Sequence, residues 1–334
     1  MIETFGETAS GEPVKVVTLQ ADQLTVRVLT WGAVLQSVRL QGVAHDLTHG
    51  SDRLSDYLGG MTYHGALIGP VVNRLTNAQA VIAGVRHQFE VNFNGRHTLH
   101  SGSVGTHRQN WSVISADQSS CTLGLTLPAG AGGFPANRQV RAHFAVTAPA
   151  SLTLQVTTTS DAQTIANFAN HSYWNLDGTA SWAGHNIQVA AEAFLPCCAD
   201  IKPTGEIRAV AGGEMDFRQP RTIAPHAPDL DNCFVLGRAA TKLRDVLWLR
   251  GKSGLEMTIA TTEPGVQLYD GRNAVRPGRA TFEGLAIECQ GWPDAPNHQG
   301  FPSITVTPDK ALTQVTQWRF KRLAPRISGS HCDV

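Results

Sequence analysis

Alternation of apolar and polar residues over short segments is the feature that most limits how this chain can fold. Residues 24–28 read Leu-Thr-Val-Arg-Val, and residues 152–156 read Leu-Thr-Leu-Gln-Val. A period of two is that of a β-strand with one buried face. Similar segments run from Cys121 to Leu127 and from Val140 to Val146, with turn residues between them. The chain is therefore predicted to be all-β.

Helical signals are few. Residues 51–60 predict one short helix with Leu54, Tyr57 and Leu58 on one face and two glycines at its end. Strand-like sequence also runs from Ile187 to Phe194. Charged residues make up only 16% of the chain, below the common ~25%, which argues against a helical bundle.

The 334 residues contain no internal repeat, no low-complexity linker and no clear domain boundary. Large all-β domains reach this length as one unit. One domain is therefore predicted over residues 1–334, with a loose tail at about 327–334.

Charge and hydropathy narrow the class of partner. The formal net charge is zero and the pI is about 7.2, so no long-range field attracts nucleic acid or an anionic membrane. The chain begins without a signal-type segment and contains no apolar run of ~20 residues. The six cysteines are scattered without zinc-type pairs. These features predict a soluble cytoplasmic protein that binds a small neutral molecule.

Glu288 is the strongest candidate for a functional carboxylate. It follows an apolar run in a predicted strand and precedes a loop stiffened by three prolines. Trp292 and Phe301 offer flat apolar surfaces in that loop, beside hydrogen-bonding groups such as Asp294 and His298. Such a mixture suits the hydroxyls and C–H faces of a sugar. The alternative is a strand-edge carboxylate beside an ordinary turn.

His171 is the first choice among the histidines. It lies between Asn170 and the aromatic pair Tyr173-Trp174, and an imidazole can give or take a proton near neutral pH. The alternative is a buried aromatic cluster with a hydrogen-bonded structural histidine.

Other polar groups stand out less strongly. Arg74 could serve a ligand oxygen or a carboxylate, although a surface arginine is the simpler interpretation. Asp231 could bind hydroxyls or cap a loop, and Gln267 and Tyr269 share one face of a predicted strand. His97 and His100 are three residues apart and point to opposite faces of an extended chain, so a zinc pair is not expected.

Taken together and in order, these segments resemble the aldose 1-epimerase (galactose mutarotase) family. The resemblance extends over more than two hundred residues and rests on the following segments: 69–75, 99–102, 170–176, 203–206, 216–218, 231–236, 264–267, 288–290 and 293–298. Leu99-His100-Ser101-Gly102, for example, resembles the family's Leu-His-Gly-Gly.

The resemblance implies a large antiparallel β-sandwich, of the galactose mutarotase-like supersandwich type, with few short helices. It also implies interconversion of the α and β anomers of a free monosaccharide without a metal or cofactor, by a monomer or homodimer. Glu288 then corresponds to the general base and His171 to the general acid. The corresponding sugar-binding residues are His100, Asp231, Arg74, Asn73 and Gln267.

Three positions depart from the family pattern: Pro70 replaces an arginine, Ser101 a glycine and Asn232 a histidine. These departures leave the preferred sugar open. Three alternative functions also remain. A hexose-6-phosphate epimerase needs extra cationic groups, for which Arg74 and Arg272 are available. A glycoside hydrolase needs two facing carboxylates, formally Glu288 and Asp231. A non-catalytic sugar-binding protein could use the same pocket.

Overall fold

The computed structural model of the protein describes residues 1–323. Strands dominate this range, and the longest helix in it is α1 (Leu54–Leu58). Single turns of 3-10 helix occupy Thr76–Ala78, Gly102–Val104, Thr106–Arg108, Ala131–Gly133 and Ala295–Asn297. The predicted tail at 327–334 lies outside the described residues.

The strands are numbered in chain order. Those before residue 100 are β1 (Ile2–Glu7), β2 (Pro13–Ala21), β3 (Leu24–Leu29), β4 (Leu35–Leu40), β5 (Leu67–Ile68), β6 (Arg74–Leu75), β7 (Gln79–Ile82), β8 (Val85–Gln88) and β9 (Thr98–Leu99). Those up to residue 195 are β10 (Ser112–Ala116), β11 (Ser120–Leu127), β12 (Arg138–Thr147), β13 (Ser151–Ser160), β14 (Thr164–Ile165), β15 (Ala169–Asn170), β16 (Tyr173–Trp174), β17 (Asn186–Val189) and β18 (Ala193–Leu195). The remaining strands are β19 (Arg208–Ala209), β20 (Arg221–Thr222), β21 (Asp231–Val235), β22 (Arg244–Arg250), β23 (Leu255–Thr261), β24 (Gly265–Tyr269), β25 (Leu285–Gln290), β26 (Thr305–Val306) and β27 (Leu312–Arg322).

Three antiparallel sheets share one apolar core. A nine-stranded sheet has the order β10-β11-β12-β13-β27-β23-β22-β17-β20, a six-stranded sheet the order β16-β25-β24-β21-β18-β19, and a four-stranded sheet the order β1-β2-β3-β4. The core joins Phe144 and Ile259 of the first, Leu268 and Ile287 of the second and Val26 of the third. The predicted all-β antiparallel fold is confirmed.

Period-two patterning accounts for the long strands. In β12 buried and more exposed residues alternate along the strand, and β12 pairs with β13 from Arg138 opposite Ser160 to Thr147 opposite Ser151. The four buried aliphatic or aromatic side chains from Val140 to Val146 face the core. Burial of this kind contributes roughly 25 cal/mol per Å² of apolar surface.

One local expectation was wrong. Leu58 was expected on the buried face of α1 but is 44% exposed, while Leu54 and Tyr57 are buried. Leu58 is the last residue of this five-residue helix and is followed directly by Gly59 and Gly60. The stretch 187–194 belongs to two strands in different sheets, because the chain leaves β17 and enters β18 there.

The six-stranded sheet brings four polar side chains to one face. Gln267 of β24 lies directly opposite Glu288 of β25, and Tyr269 lies opposite Asp231 of β21. Directly opposed residues of an antiparallel pair project to the same face. Glu288, Gln267, Tyr269 and Asp231 therefore share the face turned away from Leu268 and the core.

In the described part of the chain, no helix has the length and apolar character needed to cross a bilayer.

Candidate active site

A cavity of about 480 Å³ opens on this face of the six-stranded sheet. Six of the seven residues predicted for the site line it: Asn73, Arg74, His100, His171, Asp231 and Glu288. Gln267 does not line it. It is 2% exposed and donates from Nε2 to Asp231 Oδ1 at 2.7 Å, so it holds Asp231 from beneath.

Glu288 and His171 face each other at the inner end of the cavity. Glu288 Oε1 lies 3.5 Å from His171 Nε2, and both side chains are almost fully buried. Glu288 Oε2 and His171 Nδ1 are buried without a hydrogen-bond partner among the described residues. Buried polar atoms of this kind cost free energy unless solvent or a ligand satisfies them.

Burial favours the neutral forms of both the Glu288 carboxyl group and the His171 imidazole. Burial, with a smaller contribution from the negative charge of Asp231, raises the pKa of Glu288 to about 8 against the opposing effect of Arg74. Burial also lowers the pKa of His171 to about 4. Shifts of this size are concentrated at functional sites.

Backbone contacts around β15 fix the position of His171. Its N–H donates to Ala66 O at 2.9 Å, and its carbonyl accepts from the Gly65 N–H. Asn170, directly before it, donates from Nδ2 to Gly65 O at 2.8 Å. Tyr63 then stacks on the imidazole with ring centroids 5.9 Å apart.

His100 presents a hydrogen-bond donor to the cavity. Its Nδ1 accepts the Asn73 backbone N–H at 3.1 Å, so the proton of the neutral ring resides on Nε2. Burial lowers the pKa of His100 well below its usual range, with smaller contributions from His171, His107 and Arg74. Asn73 and His100 both have positive φ, +63° and +52°, a strained conformation that non-glycine residues often adopt at functional sites.

Arg74 and Asp231 form one side of the cavity. Arg74 Nη2 lies 3.2 Å from Asp231 Oδ2, and the guanidinium packs over the Phe93 ring at 4.8 Å. Arg74 is only 8% exposed, so the interpretation as a surface arginine is wrong. Burial raises the pKa of Asp231, against the opposing effect of Arg74 and Gln267.

The aromatic surfaces of the cavity differ from those expected. Trp292 is fully buried and donates from Nε1 to Pro264 O, and it packs with Phe301 away from the cavity. The cavity is instead lined by Tyr63, Tyr173, Tyr269 and Phe93. The expectation that Trp292 and Phe301 serve a ligand was wrong because both rings pack in an apolar cluster with Leu195 and Cys233.

Asp294 and His298 also have structural roles. Asp294 accepts from the Thr76 N–H at 2.9 Å and from Asn297 Nδ2 at 2.7 Å. Its carboxylate is 3.2 Å from His298 Nε2. These contacts fasten the loop after β25 to the segment that carries Arg74.

Only one of the three departures from the family pattern reaches the cavity. Asn232 lines it and donates to Leu195 O. Pro70 and Ser101 are buried and do not line it. Ser101 Oγ bonds both the N–H and the carbonyl of Val71 at 2.9 Å, which joins two loops behind the site.

Metal-ligand clusters are absent within residues 1–323, where no group of three or more His, Cys, Asp or Glu residues could hold an ion. His97 turns away from His100, accepts the Asn77 N–H and lies 3.6 Å from Asp200. The two histidines therefore have different hydrogen-bond partners.

Comparison with known proteins identifies the family of this chain. A sequence model of the family described as Aldose 1-epimerase matches residues 15–319. The galactose mutarotase of Bos taurus is 30% identical, over 95% of this chain and 97% of that protein. The aldose 1-epimerase of Escherichia coli K12 is 27% identical, over 95% of this chain and 98% of that protein.

The fold has a close structural counterpart as well. The crystal structure of an aldose epimerase homologue from C. elegans superimposes with a TM-score of 0.86 and 25% identity, over 92% of this chain and 99% of that one. The match along residues 15–319 and the identity to the bovine protein show that this chain is a member of the aldose 1-epimerase family of isomerases.

Proposed function

We propose that this protein interconverts the α and β anomers of a free aldose of the galactose or glucose type by acid–base catalysis. The observation that supports this most is the buried contact between Glu288 and His171, 3.5 Å apart in a cavity lined by hydroxyl-binding groups. O1 and O5 of an aldose are both bonded to C1, so an acid and a base that serve them must lie close together.

The proposed reaction passes through the open-chain aldehyde. Glu288, as carboxylate, takes the proton of the O1 hydroxyl while His171, as imidazolium, gives a proton to O5. The C1–O5 bond breaks and C1 becomes an aldehyde. After rotation about C1–C2 the ring closes on the other face, O5 returns its proton to His171 and O1 receives one from Glu288. Atoms and charges balance without a cofactor.

The remaining polar groups would orient the sugar. His100 offers Nε2–H, and the paired Arg74 and Asp231 offer a donor and an acceptor. Each group is held by a protein partner before the sugar arrives. Preorganisation of this kind lowers the entropic cost of reaching the reactive geometry.

A polarimetric assay tests the proposal. Freshly dissolved α-D-galactose or α-D-glucose should reach its equilibrium rotation faster in proportion to protein concentration. An unchanged rate with both sugars, and with arabinose, xylose and fucose, would exclude the proposed activity.

The activity should depend on pH in a bell-shaped manner. The pKa of about 8 for Glu288 and about 4 for His171 mean that the pair carries one proton between those values. Productive turnover needs one proton on the pair, placed on His171. Below pH 4 both groups are protonated and no base remains; above pH 8 both are deprotonated and no acid remains. We expect kcat/KM, measured from pH 3.5 to 9.5, to be highest between these limits. A rate that rises steadily through pH 9 would contradict this assignment.

The other functions considered for this fold have less support. Arg74 and Arg272 are already paired with Asp231 and with Asp229 and Asp270, so the two arginines supply no excess positive charge for a phosphate. Asp231 is occupied by Arg74 and Gln267 and is not free as a second hydrolytic carboxylate. Galactose 6-phosphate and an aryl galactoside, run beside galactose, distinguish these alternatives directly.

We also propose the cytoplasm as the compartment. Among the described residues Cys121, Cys233 and Cys289 are buried free thiols, and reduced thiols persist in that compartment.

A further inference from the structure

Arg272 lies on the wall of the same cavity and has no part in the proposed proton transfer. It belongs to the loop that follows β24, and its neighbour Asn273 lines the cavity with it. The Asn273 N–H donates to the hydroxyl of Tyr269 at 2.9 Å. This contact folds the loop back over the end of β24.

Two carboxylates hold the guanidinium of Arg272 in place. Asp270 is 0% exposed and accepts from Arg272 Nε at 3.0 Å and from Nη2. Asp229 Oδ1 lies 3.3 Å from the same Nη2. Asp270 is itself anchored, because it accepts the Leu230 N–H at 3.2 Å. A fork held by a buried carboxylate is a rigid donor.

The free edge of the guanidinium is Nη1. It has no hydrogen-bond partner among residues 1–323 and is not buried, and the Arg272 side chain is 31% exposed. Two arginines on this wall, Arg74 and Arg272, form ion pairs with three aspartates: Asp229, Asp231 and Asp270. The positive charge of the arginines is therefore already neutralised. A neutral hydroxyl suits such a donor better than an anion does.

The strand register indicates which part of a sugar Arg272 would meet. Glu288 lies opposite Gln267, whereas Arg272 lies beyond Tyr269, past the end of β24. The reacting C1 must lie at Glu288. Arg272 therefore faces the part of the ring remote from C1.

We propose that Arg272 is a specificity-determining residue that donates from Nη1 to one hydroxyl of a neutral aldose at C3, C4 or C6. The inference rests on the proposed function and extends it to the distal half of the sugar. A sugar that lacks that hydroxyl would gain nothing from Arg272.

The test compares wild type with Arg272→Lys on D-galactose and its 3-, 4- and 6-deoxy analogues, with anomer exchange followed by NMR. Lysine keeps a cation for Asp270 but lacks the outward nitrogen. We expect kcat/KM on galactose to fall roughly 10- to 100-fold, the scale of one hydrogen bond to a charged group, with most of the loss in KM. With one deoxy sugar, variant and wild type should react alike.

Arg279→Lys is the matched control, because Arg279 lies in the same connection, is exposed and does not line the cavity. It should behave as wild type throughout. Arg272→Gln repeats the comparison if the lysine variant melts at a much lower temperature than wild type.

Equal losses on every sugar would overturn the proposal, because they would show that Arg272 only supports the loop. Unchanged kinetics on all four sugars would overturn it as well. Failure of the proposed function gives a different result, since wild type would then accelerate none of these exchanges.

Discussion

Glu288→Gln is expected to reduce kcat for anomer exchange by roughly 10²–10⁴-fold, the contribution of a positioned base. Glutamine has the shape of the protonated acid but cannot take the O1 proton. Because the pKa of Glu288 is raised to about 8, the native protein keeps at neutral pH a proton that the unfolded chain releases near its ordinary pKa. Stability is therefore lost between these two pKa values as the pH rises, and the amide removes this loss. The variant should melt at the same temperature or higher at pH 7.

Glu263→Gln is the matched control. Glu263 is another buried glutamate whose pKa is raised by burial, it bonds Gln314 and Thr262, and it does not line the cavity. Its variant should retain the wild-type kcat. Near-wild-type turnover by Glu288→Gln would show that another group takes the proton.

His171→Asn should produce a loss of the same order, roughly 10²–10⁴-fold in kcat, because asparagine cannot donate a proton to O5 at neutral pH. The position of residue 171 depends mainly on its backbone contacts with Gly65 and Ala66, so the fold should survive the change. Stopped-flow polarimetry at pH 7, together with thermal melting, measures both effects.

His97→Asn provides the comparison for this histidine. His97 is buried, accepts the Asn77 N–H through Nδ1 and does not line the cavity, and an asparagine oxygen can accept the same bond.

The double variant Glu288→Gln with His171→Asn should be little slower than either single variant, since the two groups act in one step. Losses that multiply would indicate independent roles.

Local pattern was sufficient for much of the fold. The alternating segments at 24–28 and 152–156 lie in β3 and β13, because a period of two has few other uses in a folded chain. Strand boundaries around 187–194 were not predictable, since the change of sheet depends on partners distant in sequence. The prediction that Leu58 is buried was wrong for a similar reason, because no local feature of the sequence shows how little of α1 is covered by other elements.

The site residues also divide into those that local pattern predicts and those that depend on partners distant in sequence. Glu288 could be placed because it follows an apolar run in a strand, and a period of two put Gln267 and Tyr269 on one face. The buried pairing of Arg74 with Asp231, 157 residues apart, could not be read from either segment alone. Tyr63 carried no signal in the sequence, since its stacking on His171 depends on how the loop before β5 meets β15. The prediction that Trp292 contacts a ligand was wrong because an aromatic residue close to Glu288 in sequence can equally well pack in the core.

A crystal structure of the Glu288→Gln variant with D-galactose would test the central claim most directly. We expect O1 of the sugar within about 2.6–3.2 Å of the residue 288 side chain and O5 within the same distance of His171 Nε2. A galactose bound elsewhere, or one whose C1 points away from both side chains, would contradict the proposed mechanism.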